Sequence, residues 1–268
     1  MISPVSLSNP VFTDTHAHLY LEEFDADRDQ VIQRAEKEGI SHLFLPNIDS
    51  TSVQEMLNVC SAWPHLCYPM MGLHPTSVRA NYHDELKLVK QYLADRSLRF
   101  YGVGEIGIDL YWDRTFEKEQ TEAFNIQLDL SLEYGLPVAI HTRNSMEVAL
   151  GIMESRNDEG LRGVFHCYSG DVAQAERALQ MGFYLGIGGV ITYKKSGLAD
   201  VVAAMPLSSL LTETDAPFLP PVPHRGQRNE SSYIPLIALK IAEIKGVSLE
   251  EVAEATTRNA MELFMISL

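Results

Sequence analysis

The stretch FTDTHAHLY, residues 12 to 20, ends a short apolar run with two histidines one residue apart and an aspartate two positions before the first. Side chains of an extended strand alternate faces, so His16 and His18 project the same way and two imidazoles converge, an arrangement able to grip a divalent ion. Taken alone the motif is weak, because a chain with 9 histidines in 268 residues often meets His-x-His by chance. Comparable residues recur in the same setting, at the ends of apolar runs: Glu105 in GVGEIG, His141 in AIHTRN, His166 in VFHCYS and Asp215 in TETDAP. Four imidazoles and two carboxylates are too few for two closed structural sites. They suit two open ones that share a bridging carboxylate, the arrangement that activates water for hydrolysis. Asp215 is then both a ligand and the proton acceptor for that water, its rival reading being a helix N-cap in the Thr-Asp-Ala-Pro turn. His42, His65 and His83 fall outside the pattern and read as surface or core residues.

Something must bring these positions together. Eight apolar, β-branched runs read as strands: VFTDTH, SHLFLPN, CYPMMGLH, FYGVGEIG, LPVAIHT, GVFHCYS, FYLGIGG and LLTETD. Between them lie helical patterns such as DRDQVIQRAEKEG, EKEQTEAFNIQLDLSLEYG and DVAQAERALQMG, each running into a glycine at its stop. Ser248-Leu-Glu-Glu251 reads as a capping box that opens a final helix through Ala260. Strand and helix alternate eight times without a linker or repeat. That predicts an α/β chain folded as one (β/α)8 TIM barrel over residues 1–268, with an open doubly wound sheet as the rival. In a barrel, strand ends gather at the C-terminal face, where all six candidate ligands would meet. His74 in GLHP ends the third strand and faces the same mouth as a substrate contact. Arg143 after the fifth strand, Lys194 and Lys195 after the seventh, and Arg225 and Arg228 in the Pro/Gly-rich loop after the eighth are the cations placed to meet phosphate.

GVGEIG, residues 102 to 107, satisfies G-x-G-x-x-G, but no helix opens at that turn: IDLYWDR follows, strand-like and aromatic. A dinucleotide site is therefore rejected. The cysteines Cys60, Cys67 and Cys167 form no C-x-x-C pair and leave an odd count, which points to reduced thiols in a cytoplasmic protein. The opening MISPVSLSNPV has neither the basic nor the apolar region of a signal peptide, and no apolar run reaches membrane-spanning length. A net charge of −15 excludes broad electrostatic adhesion to nucleic acid or anionic membrane, while leaving room for a small basic patch. Nothing in the sequence calls for an obligate protein partner.

Taken in order, DTHAHL, GLHP, GEIGIDLYW, IHTRN, GVFHCYSG, TETDAPFLPPVPHRGQRNE and TRNAMELF span nearly the whole chain and resemble the TatD family of metal-dependent hydrolases, within the amidohydrolase-like barrels. The resemblance implies a divalent metal pair, with His16, His18, Glu105 and Asp215 on one ion and Glu105, His141 and His166 on the other. It also implies Mg-dependent DNase activity, often 3′ to 5′ exonuclease action on single strands. Imidazole-rich sites themselves favour Zn or Mn over Mg. Two positions depart from the family pattern: Gln227 stands where lysine is common and Ser231 where proline is common. The leading expectation is a metal-dependent phosphodiesterase acting on single-stranded DNA ends. The alternatives are an ester or amide hydrolase of the same superfamily, such as a D-aminoacyl-tRNA deacylase, and a metal-loaded binding protein without turnover.

Overall fold

In the computed structural model, which describes residues 10–156 and 158–266, each of the eight expected runs holds all or most of a strand. They are β1 Phe12–Asp14, β2 Ile40–Pro46, β3 Cys67–Met70, β4 Val103–Asp109, β5 Val138–Arg143, β6 Gly163–Phe165, β7 Tyr184–Ile187 and β8 Leu210–Thr212. All pair in parallel in chain order, β1 to β3 in one ladder and β4 to β8 in another. Backbone bonds close the two gaps. Between β3 and β4, Tyr101 N donates to Pro69 O and Gly104 N to Met71 O, at 2.9 and 3.1 Å. Between β8 and β1, Thr15 N donates to Thr212 O at 3.1 Å and Ala17 bridges Ala216. The barrel is thus closed, and the open doubly wound sheet is excluded.

The helices are α1 Arg28–Lys37, α2 Val53–Ala62, α3 Tyr82–Ala94, α4 Glu117–Tyr134, α5 Met146–Arg156, α6 Val172–Gln180, α7 Leu198–Ala204, α8 Ile234–Lys245 and α9 Leu249–Phe264. Strand alternation divides the core into two layers. Leu43 and Leu45 of β2 and Val138 and Ile140 of β5 join the layer under the helices, while Phe44 and Ala139 point into the barrel. There Phe44, Met70, Val164 and Leu211 meet Ala260, Leu263 and Phe264 of α9, with the Phe44 and Phe264 rings stacked at 3.8 Å. The last turn of α9 therefore plugs the floor of the barrel, which is why this helix runs past the expected stop at Ala260. At its start Ser248 Oγ accepts from Glu251 N at 3.1 Å, the Ser248 half of the expected box, and the fully reciprocal box forms at Asp171 and Gln174. Gly135, left-handed at φ 65°, ends α4 as the sequence predicts. GVGEIG leads into and forms most of β4, and α4 begins only at Glu117, so no helix N-terminus faces those glycines.

Candidate metal centre

With the floor plugged, the polar strand ends collect at the opposite mouth. The hydrogen-bonded part of β1 stops at Asp14, but the chain beyond it stays in register with the segment after β8. Asp215 N donates to His16 O at 2.8 Å and His18 N to Ala216 O at 2.7 Å. Two histidines from one end of the chain and an aspartate from the other are thereby held face to face. Asp215 itself sits at φ 58°, in the left-handed region that aspartate tolerates better than most residues. No helix begins there; its carboxylate faces His18 instead of capping a turn, with Oδ1 and Nε2 3.5 Å apart.

Glu105, almost fully buried near the middle of β4, divides this cluster in two. Its Oε2 lies 3.0 Å from His16 Nε2 and 3.4 Å from His18 Nε2. Its Oε1 lies 2.8 Å from His141 Nδ1, 3.0 Å from His166 Nε2 and 3.2 Å from His74 Nε2. His16 Nε2 and His18 Nε2 approach within 3.2 Å of each other, and Asp215 Oδ1 completes that side. Lone-pair donors crowd together here out of water, an arrangement that needs positive charge between them. Three combinations place one donor atom per residue within 4.8 Å of one another: His16 with His18 and Glu105, His16 with His166 and Asp215, and His74 with Glu105 and His141. The donor set fits divalent ions.

The electrostatics agree. Burial opposes ionisation of Glu105, yet the surrounding His74, His166 and His16 hold its carboxyl well below the usual range. Burial likewise opposes charge on His18 and His166. Tyr20, Asp215 and Glu105 nevertheless draw the first well above its ordinary value, and Glu105 and Glu213 do the same to the second. Burial and the neighbouring His166 push His16 down. The carboxylates thus draw protons onto His18 and His166 where no cation supplies the charge.

Further groups aim the ligands. Tyr20 hydroxyl donates to Pro46 O at 2.6 Å, so its oxygen accepts from His18 Nδ1 at 2.8 Å and leaves the Nε2 lone pair facing inward. Asp109 Oδ2 lies 3.0 Å from His141 Nε2. Glu213 accepts from Cys167 N and sits 3.2 Å from His166 Nδ1. Asp14 accepts from Thr214 N and His16 N, at 2.9 and 3.2 Å, tying β1 to the segment after β8. Sequence reasoning left Asp14, Asp109 and Glu213 without a role, although the signal was present. Each lies two or four residues from a chosen ligand, the even spacing that would share a face in an extended run.

His74 joins the cluster through Glu105 instead of standing apart from it. Arg143 lies over the rings of Tyr111 and Trp112. Arg225 stacks on Tyr193 and, with Lys194 and Lys195, lines a cavity of about 560 Å3. Arg228 is committed elsewhere: its guanidinium forks onto Asp27 at 2.8 Å for both bonds and donates to Glu23 O. No helix among the described residues is long and apolar enough to cross a membrane.

Comparison with known proteins agrees with this geometry. The TatD related DNase family matches residues 13–265. A Bacillus subtilis relative named uncharacterized metal-dependent hydrolase YabD is 35% identical over 255 residues, covering 95% of this chain and 99% of the relative. An Erwinia tasmaniensis relative named 3′-5′ ssDNA/RNA exonuclease TatD is 31% identical over 257 residues, covering 94% and 98%. The crystal structure of YjjV, a TatD homolog from Escherichia coli K12, superposes with a TM-score of 0.90 at 32% identity, covering 96% of this chain and 98% of that one. A barrel closed around one doubly flanked glutamate, matched end to end by these sequences, belongs to the TatD related DNase family of metal-dependent hydrolases.

Proposed function

We propose that this chain is a deoxyribonuclease that uses two divalent ions to remove nucleotides from the 3′ ends of single strands. The observation that carries the reading is Glu105, whose two oxygens face two different donor sets. His16, His18 and Asp215 would hold one ion with Glu105, and His141 and His166 the other, with Mg, Mn or Zn as the candidates. When bound, such a pair supplies Lewis acidity, favouring deprotonation of the attacking water and offsetting charge on phosphoryl and leaving oxygens. The protein's own residues do the rest. Asp215 stays ionised because His18, His166 and His16 outweigh its burial, and its side chain, 15% exposed, is open to solvent; it takes the proton from the attacking water. Asp109, Glu213 and Tyr20 keep the imidazoles in the orientation that presents a lone pair. Arg225, Lys194 and Lys195 hold phosphate near the mouth. The relatives named 3′-5′ ssDNA/RNA exonuclease TatD support nucleic acid as substrate and attack from an end. Free Cys60, Cys67 and Cys167 support a reducing, cytoplasmic setting.

The test incubates the metal-loaded protein with 5′-labelled single-stranded DNA and, separately, with D-aminoacyl-tRNA. A ladder shortening from the 3′ end supports the assignment. Release of the D-amino acid with the DNA left intact overturns it in favour of the deacylase. Metal binding without turnover of either substrate leaves only a binding protein.

A further inference from the structure

Beyond the ligands, the mouth carries two large aromatic side chains in solvent. Tyr111 is 53% exposed and Trp112 68%, although rings of this size are among the side chains that gain most from burial. The two rings meet edge to face with centroids 4.9 Å apart. The Arg143 guanidinium lies 4.0 Å from the Tyr111 centroid and 5.0 Å from that of Trp112. This group is fixed to the metal centre. Asp109 Oδ1 accepts from Tyr111 N and Trp112 N, at 2.9 and 3.2 Å, while its Oδ2 faces His141. Leu110 N donates to Arg143 O at 2.9 Å, so β4 and β5 hand both parts of the cluster to one place.

We propose that Tyr111, Trp112 and Arg143 form a stacking platform for one unpaired nucleobase of the strand being cleaved; this rests on the phosphodiesterase reading above. Flat rings beside a guanidinium suit a base on one side and its flanking phosphate on the other. Charge favours this occupant. A chain with a net charge of −15 repels a polyanion over most of its surface, and stacking gives a grip that does not depend on charge. Bases inside a duplex are already stacked on their neighbours, so the platform selects single strands and frayed ends. It binds without touching the reacting phosphorus.

The chain has 2 tryptophans, so Trp63→Phe leaves Trp112 as the only indole. Metal-loaded protein of this kind is titrated with phosphorothioate oligothymidylate and with a strand of equal length made of abasic spacers. We expect the thymidylate to quench Trp112 and the abasic strand to leave it unchanged. The base-bearing strand should bind roughly ten-fold tighter, the order expected for one stacked base. In the otherwise wild-type protein, Trp112→Ala should bring that ratio close to one, and Trp112→Phe should keep most of it. Ordinary phosphodiester versions of both strands report hydrolysis separately. If both are cleaved while Trp112 is unquenched and Trp112→Ala keeps the ratio, the platform is overturned and the phosphodiesterase reading stands. If neither strand is cleaved, the phosphodiesterase reading falls and the quenching decides the platform by itself.

Discussion

Asp215 and Glu105 are both carboxylates in one cluster, but they should fail differently. Asparagine at 215 cannot take a proton, so Asp215→Asn should lower kcat by about 10²- to 10⁴-fold while keeping much of the bound metal. Glu105→Ala removes the oxygens that face both donor sets and should empty the site. Steady-state kinetics with elemental analysis separates the two, and near-native kcat in Asp215→Asn would remove it as proton acceptor. Asp14 offers a pH test. Burial pushes its carboxyl up to about 7, although hydrogen bonds from Thr214 and His16 pull it down. The unfolded chain releases that proton near the ordinary 3.8, so the stability from Asp14 is full below that value and is lost as pH rises to about 7. Asp14→Asn has no proton to release. Its melting temperature should therefore gain on the wild type between these two pH values, and a pH-independent difference would sink the idea. The six donors were legible in the sequence because they fall within or just beyond apolar runs. Their supporting carboxylates carry the same period-two spacing, but sequence alone gives them no partner to point at. Arg228 has a partner the sequence gives no sign of: Asp27, the residue it grips, lies 201 positions away.

Among the elements, strands were the most legible, since a barrel strand is covered on both faces and reads as an unbroken apolar run. Their lengths were not. VFTDTH contains a strand of only 3 residues, because β1 pairs with β2 only over Phe12–Asp14. The length of α9 was hidden too, since its last turn is held by the barrel floor and not by any local stop signal. The pairing of β7 with the segment after β8 gives an element-level prediction. A Cβ on Gly186 would collide with the buried Glu213 carboxylate, the group that braces Cys167 N and lies beside His166 Nδ1. Gly186→Ala should cost about 1–3 kcal/mol of stability and weaken metal binding as well. Urea unfolding and a metal titration of the same variant check this; a destabilised protein with unchanged metal affinity would show that Glu213 does not position His166.

For the molecule as a whole, the candidate ligands stand on or just beyond strands anchored by a closed core, so metal should matter far more for turnover than for folding. Chelation should abolish hydrolysis and leave the far-UV circular dichroism and a cooperative melt in place; complete unfolding would contradict this. If Arg228 stays paired with Asp27, the proposed phosphate contacts reduce to Arg143, Lys194, Lys195 and Arg225. Each phosphate neutralised contributes about −0.7 to the single-strand salt slope, so a slope for about two or three contacts is expected, with a grip confined to a strand's last nucleotides. A circular single strand should then resist cleavage that its linear form does not, and equal cleavage would indicate an endonuclease. The seam between β1 and β8 has a consequence in time as well as space. His16 and His18 are made near the start of synthesis, while Asp215 and the bonds that hold it opposite them come some two hundred residues later. Long-range closure of this kind is slow and comes late in folding. A ribosome-bound chain short of β8 therefore carries no complete centre, and hydrolytic activity has to wait until the barrel has shut.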